Sequence, residues 1–509
     1  MTKKLMSLHI SLTIFGLIVL SGYAQEEQLP IRSGPEAVGI VPLTGDVNLW
    51  YENGGNSSYW RPDCDILSNG NAIVLGGMRK APYVDHVADS ENAVDLVAIF
   101  SPEGELLEPA RTAFFTNDGQ PWFNTICTTR NDDKFYGLSA DTVGGRSGEQ
   151  YVVHTICNAH VWPDAFPGYP KDYTGDYHTA IQVIGNDGTM RSKLTSPYGS
   201  YVKEKGVLRG GTTRFLSNGN IVVLYEDRQR GTRLDYVYGQ TSGALTVGVV
   251  ILGPDGRIVR DMFPICTKAG GENRFGLASG DGWFVCRYRD NQTGITIVAF
   301  DNEGNELGRF YPANSIPEYQ GDGGGGRGDA NGLEAIGDWL YISDRIQGTQ
   351  GYITKYHVGP DGISVIKTIH FIDHPLSTFE HNADMGVDSA GNVIVMWQDH
   401  SWERFQTGRW EALARMFDSN LEPITPSFVM FELGNNTDVD EIHPVLGPGR
   451  TKQSRIAMND QIIIAIAETN NAPYGDPLSY VANEMFSYTF VARVLRNPFY
   501  VPVRNWEIY

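Results

Sequence analysis

The chain lacks the surplus of positive charge that nucleic-acid binders carry: 40 lysines and arginines stand against 60 aspartates and glutamates. A formal charge of −20 argues against a nucleic-acid partner and for a soluble exported protein. Cysteine is scarce. Cys64, Cys127, Cys157, Cys266 and Cys286 form an odd set without a disulfide framework, so at least one is unpaired or a ligand. Beyond the N-terminus no apolar run is long enough to cross a bilayer, so no membrane span is expected. The nucleophile elbow, the Walker loop, HExxH and the dinucleotide fingerprint are all missing. The glycine run at 323–326 has no Lys-Ser/Thr after it and no βαβ context, and reads as a surface loop rather than a phosphate cradle.

The N-terminus reads as a secretory signal peptide. Lys3 and Lys4 precede an apolar run at 12–20, and Gly22-Tyr23-Ala24 resembles a small-residue cleavage site. Cleavage near Ala24 implies a secreted or periplasmic protein, and loss of the two lysines moves the formal charge from −20 to −22.

What the chain does have is punctuation. Seven times an apolar strand meets a polar turn and a second apolar strand. The first turns include Ser68-Asn69-Gly70, Asn131-Asp132-Asp133, Ser217-Asn218-Gly219 and Gly280-Asp281-Gly282. Second turns such as Pro102-Glu103-Gly104, Pro254-Asp255-Gly256 and Asn302-Glu303-Gly304 follow most of them. Gly, Asn and Asp supply the backbone angles of two-residue hairpins, so each turn joins antiparallel neighbours. A four-strand repeat of this length marks a β-propeller blade. The fold class is all-β, a seven-bladed β-propeller in one domain at 25–509. Its blades lie near 60–110, 121–195, 209–262, 272–310, 329–370, 381–428 and 441–498.

Strands A to D of a blade run from the central channel outward. Short A–B and C–D turns then share one face, and the longer B–C and D–A connections share the other. The B–C connections are read at 141–177, 227–245, 399–410 and 469–487, and a D–A connection at 320–329. Long loops on a rigid scaffold are where sites sit, so the working face is expected there. Residues 38–49, or alternatively 506–509, are candidates to add a strand to the last blade.

Several residues gather at that rim. Asn273, Arg274 and His381 enter A strands, while Tyr225, Arg228, Arg287 and Tyr288 leave B strands, with Tyr225, Arg287 and Trp397 at equivalent positions. Arginine forks suit carboxylate or sulfate, and aromatic faces stack on sugar rings. The ligand expected is an anionic polysaccharide, with Arg228, Asn273, Arg274, Arg287 and His381 binding it. The competing structural reading is that such residues tie one blade to the next.

His154, Cys157 and His160 stand three residues apart and, with a fourth ligand, suit a structural zinc held by Cys157 and His160. If 151–157 is a strand, His154 and Cys157 face opposite ways and share no metal. His154, His178, Tyr225, Arg230 (or Arg228) and Tyr288 also suit β-elimination on a uronate. Arginine neutralises the carboxylate, and His or Tyr serves as base and acid.

The order His154/His160, His178, Tyr225, Arg228/Arg230, Tyr288 resembles that of the propeller-type ulvan lyases. The resemblance implies β-elimination next to uronate in a sulfated algal polysaccharide, and often a structural zinc. A propeller glycoside hydrolase is the nearest alternative, with Asp63, Asp329, Asp384, Glu272 and Glu380 as candidate carboxylates, although the sialidase-type Ser-x-Asp-x-Gly-x-x-Trp box is absent. A non-catalytic glycan-binding propeller is the other.

Overall fold

The computed structural model describes residues 33–49, 56–57, 62–79, 93–120, 136–158, 177–195, 207–228, 245–269, 276–290, 293–316, 332–346, 350–373, 379–399, 411–431, 451–469 and 489–501. The chain divides into two units, Met1–Ser33 and Gly34–Tyr509. The signal-peptide reading falls outside the described residues, and the second unit is described below. Among the described residues no helix is long and apolar enough to cross a membrane.

The second unit is a seven-bladed propeller of antiparallel, mostly four-stranded blades. Blade 5 is the plainest, with Leu333–Ile336, Trp339–Ile346, Gln350–Gly359 and Gly362–His370 hydrogen-bonded in chain order. Blades 3 and 4 are joined into one sheet by a single bridge, Ala269 to Asp290. Blade 2 has three regular strands, Tyr136–Ala140, Gln150–Asn158 and Tyr177–Gly185. Its outer edge is reduced to the isolated bridges Ile181 to Thr195 and Ile184 to Met190.

Seven apolar clusters hold the ring, one for each seam between neighbouring blades. A strand's side chains alternate, so each central strand serves two seams. In blade 6, Ile394 and Met396 pack toward Ile463 and Ala465 of blade 7, while Val393 and Val395 pack toward Tyr341 and Ile353 of blade 5. The last seam sets Ile462, Ile464 and Ile466 of blade 7 against Cys64, Ala72 and Val74 of blade 1, which closes the circle. Chain closure uses the N-terminal side: Val47–Asn48 pairs with Thr489–Arg496 as the outer strand of blade 7. Buried Arg493 ties this strand down, donating to the Met430 carbonyl at 2.9 Å and facing Asp46 at 3.4 Å.

Some hairpins have the two-residue form expected, as at Gly337-Asp338 between the paired Ile336 and Trp339 and at Pro360-Asp361 between Gly359 and Gly362, and others are longer. In Ser217-Asn218-Gly219 the Gly219 N–H donates to the Leu216 carbonyl, and the Leu216 N–H to the Asn220 carbonyl. Only the glycine, at φ 84°, is left-handed, whereas a two-residue type I′ turn needs two such residues. These longer loops are type I turns closed by a left-handed residue. An Asp or Ser at the first position caps them: Asp301 Oδ1 accepts the N–H groups of Glu303 and Asn305. Leu421, at φ 58°, takes the glycine's place in blade 6.

Both sets of short turns lie on one face. Asn186, in a C–D turn, donates to Ser68 Oγ in an A–B turn at 3.0 Å, and Asn302 donates likewise to Ser217 at 2.8 Å. The B–C and D–A connections therefore leave the strands at the opposite rim. Blade 2 corrects the sequence reading. Its A strand is Tyr136–Ala140, so its A–B connection is 141–149 on the short-turn face, and its B–C connection begins only after Asn158. Asn131-Asp132-Asp133, read as that turn, lies outside the described residues.

Candidate functional site

The strands bring the sequence candidates to three different places. At the loop-bearing rim, the register sets His178 directly opposite Cys157 in blade 2. Tyr225 sits near the end of Ile221–Arg228 in blade 3, paired with Gly210 on one side and Gly248 on the other. Arg228, the last residue of that strand, pairs with Val207 and Leu245. His381 is the third residue of Phe379–Val387, the inner strand of blade 6, opposite Gln398. His160, Arg230, Asn273 and Arg274 lie outside the described residues.

The seams hold three more candidates. His154 is buried, and its Nδ1 lies 2.8 Å from Thr213 Oγ1 of blade 3. Arg287 is buried and paired with Asp344 of blade 5, the side chains 6% and 10% exposed. Tyr288 lies among the apolar residues between blades 3 and 4, with its hydroxyl 3.4 Å from the Ile265 carbonyl and accepting from Arg309 at 3.0 Å. Burial pushes its phenol well above the ordinary range, against the pull of Arg309. Of the positions read as equivalent at 225, 287 and 397, Arg287 and Trp397 are both buried.

Gln150–Asn158 is one continuous strand. Alternation puts positions 154 and 157 on opposite faces, which removes His154 from any ligand set with Cys157. No group of three or more His, Cys, Asp or Glu able to hold a metal exists among the described residues.

The third place is the axial channel, with a cavity of about 590 Å³. Asp63, Asp65, Arg214, Glu334, Asp384 and Arg455 line it, and His154 reaches its wall beside Gly137. A β-carbon at Gly137 would meet His154 Cε1 at 2.7 Å and Asp63 Oδ2 at 2.9 Å, so this wall position admits little beyond glycine. Bulges set the charges in place. The inner strands of blades 3, 6 and 7 slip register between Gly210 and Thr212, between His381 and Asp384, and between Lys452 and Arg455. Each slip ends on a residue that lines the channel, the re-aiming that bulges provide near working sites.

Three carboxylates staple neighbouring blades. Asp63 accepts the Leu138 N–H at 2.9 Å, Asp65 that of Ala140 at 2.8 Å, and Asp384 that of Ile456 at 2.9 Å. Glu334 has no such bond among the described residues. Burial pushes it up to about 8 against the pull of Arg214, and burial raises Asp384 to about 7 against Arg455. Burial raises Asp63 and Asp65 as well, against the pull of Arg214. Of these groups, Asp63 and Asp384 had been singled out from the sequence. Asp65, Arg214, Glu334 and Arg455 had not; bulges, which carry no residue signature, precede Arg214 and Arg455.

No protein-family model matches the chain, and no curated protein matches it. Among solved structures, it is similar to the neuraminidase-like protein of A/flat-faced bat/Peru at 10% identity and a TM-score of 0.38, over 92% of this chain and 97% of that one. It is also similar to a Mycobacterium tuberculosis puromycin-hydrolyzing peptidase at 9% identity and a TM-score of 0.41, over 86% of this chain but 53% of that one. Likeness at this level carries no argument about function. The ring stands on its own sheet order and seams.

Proposed function

We propose that the protein is an exported polysaccharide lyase that cleaves a uronate-containing, ulvan-like polysaccharide by β-elimination at the loop-bearing rim. One observation carries this reading: the register brings the strand ends bearing His178, Tyr225 and Arg228 to the same rim on neighbouring blades 2 and 3. Glycines as both cross-strand partners of Tyr225 support it, since glycine in a strand often marks close approach of a ligand. Arg228 or Arg230 neutralises the uronate carboxylate and so acidifies the C5 proton. Tyr225 or His178 removes that proton. The C5–H electrons form the C4–C5 double bond as the C4–O bond breaks, and the leaving oxygen takes a proton from the other group. Tyr288 keeps its hydroxyl within a seam, so the phenol's role is given to Tyr225.

Ultraviolet absorbance of a conjugated uronate, on mixing the protein with uronate-rich polysaccharides, tests the reading. Tyr225→Phe and His178→Ala are expected to abolish it. Hydrolysis is the second reading, favoured by Glu334 and Asp384, whose carboxyls burial raises to about 8 and about 7, beside Asp63 and Asp65 in the channel. New reducing ends without that absorbance would establish it. Zinc on Cys157 and His160 and cleavage near Ala24 belong to the proposal, and are checked by metal analysis and N-terminal sequencing of the exported protein.

A further inference from the structure

The axial channel opens on the face opposite the loop-bearing rim. Its lining runs from Asp384 and Arg455 inside to Asn69, Ser389 and Asp460 in the short A–B turns, and these last three are exposed. The 141–149 connection of blade 2 borders the same mouth: Gly145 and Ser147 line it, and Ser68 of blade 1 holds the Gly148 carbonyl at 2.5 Å. The hollow exists because blades 2 to 4 face it with small residues such as Gly137, Gly276 and Ala278. At about 590 Å³ it has the size of a small-molecule site, entered from the short-turn side.

Charges of both signs line this hollow without meeting. Arg214 and Arg455 influence the ionisation of Asp63, Glu334 and Asp384, yet among the described residues no ion pair joins either arginine to a carboxyl of the channel. Arg455 is 6% exposed and, among the described residues, gives one N–H, to the Ser454 carbonyl at 2.9 Å. Arg214 likewise gives one N–H to the Thr213 carbonyl at 3.1 Å. Both line the hollow with N–H donors to spare, and Glu334 faces it without a hydrogen-bond partner among the described residues. Arg146, at the mouth, is paired with Asp141 at 3.2 Å.

Four carboxyls against two arginines favour a positive ligand over a negative one, and an ammonium beside buried carboxyls restores the charge that burial opposes. An ammonium has three donors and no acceptor, so it leaves the guanidinium N–H groups unanswered. Hydroxyl oxygens accept from them. A small molecule that carries both an ammonium and hydroxyls meets both sets of groups, whereas a free acid meets the surplus of carboxyls.

We propose that the axial channel is a binding site for a small hydroxylated amine of the amino-sugar class, its ammonium held by Glu334 and its hydroxyls by Arg214 and Arg455. The site is separate from the rim and does not rest on the lyase reading.

Calorimetric titration of the full chain with glucosamine at neutral pH tests the site directly. Binding is expected. N-acetylglucosamine, which keeps the ring hydroxyls without the charge, and putrescine, which keeps the charge without hydroxyls, should each bind about tenfold more weakly or worse, and glucuronate should not bind. Glu334→Gln and Arg455→Lys should each weaken glucosamine about tenfold or more. Thr212→Leu, which narrows the channel without altering a charge, replaces any variant whose circular dichroism shows a lost fold, and should weaken binding too. Glucosamine affinity that is absent, matched by glucuronate or N-acetylglucosamine, or equal in the wild type and the variants would overturn the site. Unsaturated uronate product, formed or not, bears on the rim alone, so the two readings fail separately.

Discussion

Arg287 separates a seam residue from a substrate-binding one. Its guanidinium meets the Asp344 carboxylate across the junction of blades 4 and 5, with side-chain exposures of 6% and 10%. Exposed ion pairs contribute about 0.2–1 kcal/mol, but removing one partner of a buried pair strands the other charge and costs about 3–5 kcal/mol. Arg287→Ala should therefore lose about that much, a large share of the roughly 5–15 kcal/mol that a folded protein holds in reserve. Replacing both, Arg287→Met with Asp344→Leu, removes the stranded charge and should recover most of the loss. Urea unfolding followed by tryptophan fluorescence reads both variants, and the double-mutant cycle isolates the pair from their other contacts. The reasoning is refuted if Arg287→Ala unfolds like the wild type while its affinity for uronate polysaccharide falls. Arg287 would then face ligand, and the seam would not depend on it.

Other expectations follow from the same structure. Glu334 and Asp384 titrate above their ordinary values in the folded protein, so the folded state binds more protons than the unfolded one across that window. Their contribution to stability is present below the ordinary carboxyl range and fades as pH rises through about 7 and 8. The denaturant midpoint should fall over that rise, and Glu334→Gln should flatten the fall. Gly137→Ala should cost about 1–3 kcal/mol by overpacking against His154 and Asp63, read from the same unfolding curves. Ile464→Ala, in the seam that closes the ring, should cost about 2–5 kcal/mol.

The ring was legible because its turns are. A left-handed residue after a type I turn favours glycine, so Gly70, Gly104, Gly219 and Gly256 mark blade edges that any reader can find. Blade 2 misled for the same reason. Its A–B connection at 141–149 has no Asn-Gly punctuation. The rim was legible as topology, since antiparallel strands leave no freedom about which face carries the long connections. The channel was not. Asp384 and Arg455 reach it through register slips, and an apolar–polar alternation read without the slips assigns the wrong face. Arg287 shows the other limit: its strand position was visible, but its neighbour, Asp344, comes from another blade 57 residues on.

Mass spectrometry of the smallest products released from a uronate-rich polysaccharide tests the central claim most directly. β-Elimination predicts fragments one water lighter than hydrolytic ones, formed by the wild type and missing with Tyr225→Phe. Fully hydrated fragments, or unsaturated ones that persist in Tyr225→Phe and His178→Ala alike, would contradict chemistry at the rim of blades 2 and 3.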